Sequence, residues 1–163
     1  MMAAAGCLLA SCASHPKAVA TKPAYHRIPQ VRTTAYSSNE KGGKHNAVGT
    51  YLSGRKVMSA ASDWSRYPLG TRFRIVDTNE EYVIDDYGTA LIGTNTIDLY
   101  KTSKLEMKQW GVRNVDIDIL QWGSNEQSLK VLGPRAKHRS VQKMIVALQK
   151  KTTTPKSPGQ ALD

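Results

Sequence analysis

From Val31 onward the apolar residues fall in short runs of β-favouring composition, separated by turn signals. The runs predict six strands, at Val31 to Tyr36, Lys56 to Ala61, Thr71 to Val76, Tyr82 to Ile84, Thr96 to Leu99 and Arg113 to Leu120. A glycine- and lysine-rich loop, Asn39 to Asn46, separates the first two. In the last run Val115, Ile117 and Ile119 alternate with Asp116, Asp118 and Leu120, so one face turns inward and the other stays largely wet. That is the pattern of a small antiparallel-rich barrel. One helix interrupts it: Ser103 and Glu106 have capping-box spacing, Leu105 and Trp110 lie on its apolar side, and Gly111 ends it.

Beyond Gly133-Pro134 the period changes. Val141, Met144, Ile145 and Leu148 follow the helical i, i+3, i+4, i+7 rule with Lys137, Arg139, Lys143 and Lys150 around them, which predicts a basic amphipathic helix. Packing on its own domain is favoured over a membrane or a partner. From residue 152 the chain is polar, carries Pro155 and Pro158, and predicts no packed structure. Residues 13–30 lack periodicity and contain Pro16, Pro23 and Pro29, as a tether does.

The first residues are apolar and small, too short a stretch to span a bilayer. Leu9-Ala10-Ser11-Cys12 resembles a bacterial lipobox, so residues 1–12 are expected to be a lipoprotein signal peptide ending at a lipidated Cys12. The alternative is an uncleaved leader with incidental cysteines. The expected division is therefore signal peptide 1–12, tether 13–30, barrel 31–133, and basic helix with tail 134–163.

Charge sharpens this division. The net charge is +10, yet residues 1–39 hold four basic side chains and no acid, and residues 134–163 hold seven against Asp163 alone. Twelve of each sign remain between them, so the barrel is formally neutral and the basicity belongs to the flanks. Basic flanks attract polyanions through an unspecific, salt-sensitive field, or serve simply as solubilising tails. A neutral barrel behind a lipobox argues against a nucleic-acid binder. His15, His26, His45 and His138 are far apart and no Cys/His pattern has zinc spacing, so no metal and no organic cofactor is expected. Neither a phosphate-binding glycine loop nor a Gly-x-Ser-x-Gly elbow is present.

The chemistry concentrates between Asp63 and Tyr100, where three carboxylates lie in glycine-punctuated sequence: Asp63 before Pro68-Leu69-Gly70-Thr71, Asp86 before Gly88, and Asp98 between Ile97 and Leu99. An apolar setting desolvates a carboxyl group and tends to raise its pKa, as general-acid work at neutral pH requires. These motifs in this order, with Thr34-Ala35-Tyr36 upstream and Gln109-Trp110-Gly111 and Val115 to Leu120 downstream, resemble the 3D domain, named for three aspartates, over roughly residues 33–122. The domain occurs in membrane-bound lytic transglycosylases of the MltA type and in small muralytic proteins. A more distant resemblance is to RlpA-like proteins and expansins, which share the double-psi β-barrel.

The resemblance implies an all-β fold, a small six-stranded double-psi β-barrel with one short inserted helix, to which the C-terminal basic helix is added. It also implies an enzyme cutting peptidoglycan glycan strands as a lytic transglycosylase in cell-wall turnover, with Asp98 as the acid/base and Asp86 and Asp63 as supporting carboxylates; Asp63 has the alternative of bracing its loop. Asp85 competes with Asp86 for register, and Gly88 at the expected offset favours Asp86. Tyr36, Tyr87 and Trp64 are candidate sugar-stacking residues. Trp110 reads as core, and Trp122 as core or groove. The partners expected are glycan strands and, through Cys12, a membrane, placing the protein in the cell envelope as an anchored lipoprotein facing the periplasm or wall, on the outer membrane. A non-catalytic, expansin-like wall-binding module and an O-glycosyl hydrolase are the competing readings.

Overall fold

The computed structural model describes residues 25–38 and 43–153. The lipobox with Cys12, most of the expected tether, residues 39–42 of the first loop and the tail from residue 154 lie outside the described residues. Six strands close a barrel: β1 (His26–Tyr36), β2 (Val57–Ala61), β3 (Arg72–Ile75), β4 (Glu81–Asp86), β5 (Thr96–Tyr100) and β6 (Arg113–Gln121). They run around it in the order β1, β5, β2, β4, β3, β6. Two pairings, β1 with β5 and β2 with β4, are parallel, and the other four are antiparallel. This closed mixed barrel is consistent with the double-psi arrangement expected from the sequence.

Period-two alternation builds the interior. Val115, Ile117 and Ile119 of β6 turn inward against Phe73 and Ile75 of β3, Tyr82 and Ile84 of β4, and Ile97 and Leu99 of β5, all of them buried. Each side chain so buried contributes roughly 1.5–3 kcal/mol of transfer free energy. Strand β1 begins at His26 rather than Val31. Its first half was hidden because Pro29 and Gln30, the latter at φ 54°, break the alternation where the pairing with β6 shifts register between Ile28 and Val31.

Three helices accompany the barrel: α1 (Lys104–Trp110), α2 (Asn125–Leu132) and α3 (Arg139–Thr153). The capping box of α1 is formed: the Ser103 hydroxyl accepts from the Glu106 amide and the Glu106 carboxylate accepts from the Ser103 amide, both at 3.2 Å. Trp110 is buried as core and donates from Nε1 to the Thr33 hydroxyl at 3.1 Å. Leu105, expected beside it on the apolar side, is instead 66% exposed. Helix α2 was not foreseen; Ser124 caps it by accepting from the Gln127 amide.

The core crosses the boundary drawn at residue 133. Leu132 of α2 and Val141, Met144 and Leu148 of α3 join the same buried cluster as the barrel interior and Trp64. The apolar face of the basic helix therefore packs on its own domain. Among the described residues no helix is long and apolar enough to cross a membrane.

Candidate active site

Register places the site's residues in one row across four strands. Thr34 of β1 pairs with Asp98 of β5, Asp98 pairs with Ala61 of β2, and Ala61 pairs with Asp86 of β4. Neighbouring strands are about 4.8 Å apart, so the two aspartate backbones stand roughly 10 Å apart with only a methyl side chain between them. Ala61, Asp86 and Asp98 line one cleft of about 250 Å³ together with Tyr36, Ser37, Gly43, His45, Leu52 and the Tyr87–Leu91 turn.

Asp98 is half-buried and accepts a short hydrogen bond, 2.5 Å, from the Thr34 hydroxyl. A strong O–H donor of this kind fixes the plane of the carboxyl group. Asp86 receives the Tyr87 amide at Oδ1, 2.9 Å. Burial pushes its carboxyl up to about 6; the amides of Tyr87 and Ala47 and the Arg135 guanidinium oppose the rise, and the neighbouring Asp85 charge adds to it. Asp85 itself turns to β2 and the loop before it, accepting from Asn46 Nδ2 at 2.9 Å and from the Ser59 hydroxyl at 2.6 Å. Its pKa is raised by burial and lowered by those two donors.

Tyr36 lines the cleft with both aspartates. Burial pushes its phenol well up, and the Asp86, Asp85 and Asp98 charges push the same way. The Tyr36 hydroxyl is buried with no hydrogen-bond partner among the described residues. Tyr87 is half-buried in the cleft wall, edge-on to Trp64 at 5.2 Å between centroids.

Two expected site residues lie elsewhere. Asp63 is 3% exposed and does not line the cleft; its Oδ1 accepts from the Ser65 amide at 2.8 Å and its Oδ2 from the Gly93 amide at 2.7 Å. It is a brace, tying the turn after β2 to the loop before β5 at Gly93, whose φ of +83° needs glycine. Trp64 is fully buried, so it presents no face to a sugar. Its ring N–H donates to the Asp86 carbonyl at 2.8 Å, holding that backbone from beneath. Trp122 is half-exposed and lines a different depression, and Arg72 is paired with Glu81 at 3.2 Å. Lys56 is exposed.

Sequence reasoning did not assign Thr34, Ala61, His45 or Arg135 to the site. Thr34 was visible inside the Thr-Ala-Tyr motif. His45 sits in the loop before β2, its ring 4.4 Å from that of Tyr51, and nothing in its spacing announced the cleft. Arg135 belongs to a 3₁₀ turn, Gly133–Arg135, beyond the expected barrel.

The arrangement is a small closed barrel with two carboxyl groups in one cleft walled by tyrosines. Residues 58–121 match the family model of the 3D domain, the family its motifs resemble. The match runs from β2 through β6 and includes all three aspartates, while Thr34, Tyr36 and Arg135 fall outside it. Among solved structures the chain is similar to the crystal structure of MltA from E. coli, with 26% identity, 48% of this chain and 27% of that chain covered, and a TM-score of 0.37. The chain thus spans about a quarter of that protein's length. No curated protein matches it.

Proposed function

We propose that this protein is a peptidoglycan lytic transglycosylase, cleaving the β-1,4 bond between N-acetylmuramic acid and N-acetylglucosamine and leaving a 1,6-anhydro end. The observation that carries the reading is the row Thr34, Asp98, Ala61, Asp86, the last three lining one cleft, within a barrel of which residues 58–121 match the 3D domain. Asp98 gives its proton to the glycosidic oxygen as the bond to C1 breaks. As a carboxylate it then takes the proton of the C6 hydroxyl, whose oxygen closes on C1, so the proton returns and no water is consumed. Thr34 orients that carboxyl. The methyl of Ala61 leaves room for the sugar, with Tyr36 and Tyr87 supplying apolar faces and Asp86 an orienting carboxyl. A lipidated Cys12 would hold the domain beside the wall in the cell envelope.

One observation favours a second reading. Asp86 stands across Ala61 from Asp98 and holds its proton up to about pH 6, so the pair resembles the two carboxyl groups of an O-glycosyl hydrolase with water between them. Mass spectrometry of soluble products from purified peptidoglycan, full chain beside Asp98→Asn, separates the readings. Anhydro-muropeptides from the wild type alone support the lytic reaction. Reducing-end products move the assignment to a hydrolase, and wall binding without products leaves an expansin-like binding module.

A further inference from the structure

Arg135 closes the 3₁₀ turn between α2 and α3, and both helices are anchored in the barrel core through Leu132 and Val141. Its position is therefore fixed by packing that owes nothing to the cleft. From there its Nη2 donates to the Ala47 carbonyl at 2.7 Å, and its guanidinium lies 5.9 Å from the Tyr87 ring centroid. Its Nη1 is buried without a hydrogen-bond partner among the described residues. Ala47 faces both ways: its carbonyl accepts from Arg135, and its amide favours the ionised form of Asp86.

The segment 43–52 that contains Ala47 supplies Gly43, His45 and Leu52 to the cleft. Its internal bonds run from the Asn46 amide to the Thr50 carbonyl, from Gly49 to Asn46, and from Leu52 to Lys44. It is tied down at Asn46, through Asp85, and at Ala47, through Arg135. Asp85 and Tyr87 beside it, Tyr36 from β1, Asp98 from β5 and His45 from segment 43–52 are among the groups around Asp86, and the Arg135 guanidinium adds a positive charge.

We infer that Arg135 is a positioning residue of this site, clamping segment 43–52 against the cleft at Ala47 and Tyr87, beside Asp86. The C-terminal helical layer, outside the matched 3D segment, thereby becomes part of the working site. The inference rests on the reading of Asp86 and Asp98 as its carboxyl groups. Removing the charge raises the proton affinity of Asp86, the same direction in which burial acts; removing the donor frees the segment.

The test compares full-length wild type, Arg135→Gln and Arg135→Lys by three readouts. These are the carboxyl ¹³C titration of Asp86, amide exchange at Asn46, Gly49, Thr50 and Leu52, and product release from peptidoglycan. In Arg135→Gln the Asp86 midpoint moves up, the amides exchange roughly tenfold faster for the loss of one charge-assisted bond, and release falls through kcat. Arg135→Lys, which keeps the charge and a donor, returns the midpoint toward wild type. If glutamine lowers the melting temperature of the whole domain, the neutral and similarly shaped Arg135→Met takes its place with the same readouts. An unchanged midpoint together with unchanged exchange in the neutral variant overturns the inference. A wild type that releases no product while Asp86 and the segment still respond sinks the proposed reaction and leaves the inference standing; a lytic wild type with neither response sinks the inference alone.

Discussion

Asp86→Asn replaces a carboxyl that burial holds at about 6, against an ordinary 3.8, by a neutral side chain of the same shape whose carbonyl still accepts the Tyr87 amide. Because the folded value lies above the unfolded one, the native state binds the proton more tightly, and wild-type stability falls as pH rises from about 4 to about 6. Above that window the fold carries the full cost of a charged carboxylate. At about 1.4 kcal/mol per tenfold in proton affinity, the rise from 3.8 to about 6 converts to roughly 3 kcal/mol. The group is only half-buried, and solvent screening reduces this to about 1–2 kcal/mol. Asp86→Asn is therefore expected to be more stable than wild type by about 1–2 kcal/mol at pH 8, close to 0.5–1 M in urea midpoint, and indistinguishable from it near pH 3.5. Urea titrations followed by tryptophan fluorescence at the two pH values measure the difference. A variant less stable at pH 8, or a gain of equal size at both pH values, would refute the electrostatic argument.

Three further outcomes follow from individual contacts. Thr34→Val, which removes the 2.5 Å donor to Asp98 while keeping shape, should lower kcat about tenfold or more with little change in KM, read from initial rates of product release. Trp64→Ala empties a fully buried site and removes the bond to the Asp86 carbonyl, so it should cost about 3–5 kcal/mol in chemical denaturation; a stable variant with weakened wall binding would restore Trp64 as a sugar-stacking residue. Tyr36→Phe deletes a buried hydroxyl that has no partner among the described residues and should leave the melting temperature unchanged or higher while glycan release slows; a clear loss of stability would mean that the hydroxyl is bonded in solution.

The barrel was legible because its strands carry period-two patterning with one wet face, most plainly in β6, where Val115, Ile117 and Ile119 all turn inward. The start of β1 was not, since a register shift at Pro29-Gln30 erases alternation without ending the strand. Helix α2 escaped because it is short and bounded by Gly123 and Gly133, although Ser124 already signalled its cap. The carboxylates were visible as motifs, but their grouping was not. Asp63 and Trp64 are neighbours of each other in sequence and face the core, whereas Asp86 and Asp98 meet around Ala61 only through a parallel and an antiparallel pairing. His45 reaches the cleft from a loop and Arg135 reaches Ala47 and Tyr87 beside it from a 3₁₀ turn, where no period predicts direction.

Whether Asp98 cuts glycan without water is decided by digesting purified peptidoglycan in heavy-oxygen water. Wild type is expected to form muropeptides ending in 1,6-anhydro rings that carry no heavy oxygen, and Asp98→Asn is expected to form none. Reducing ends that carry the label would contradict cleavage without water and assign the two carboxyl groups to a hydrolase.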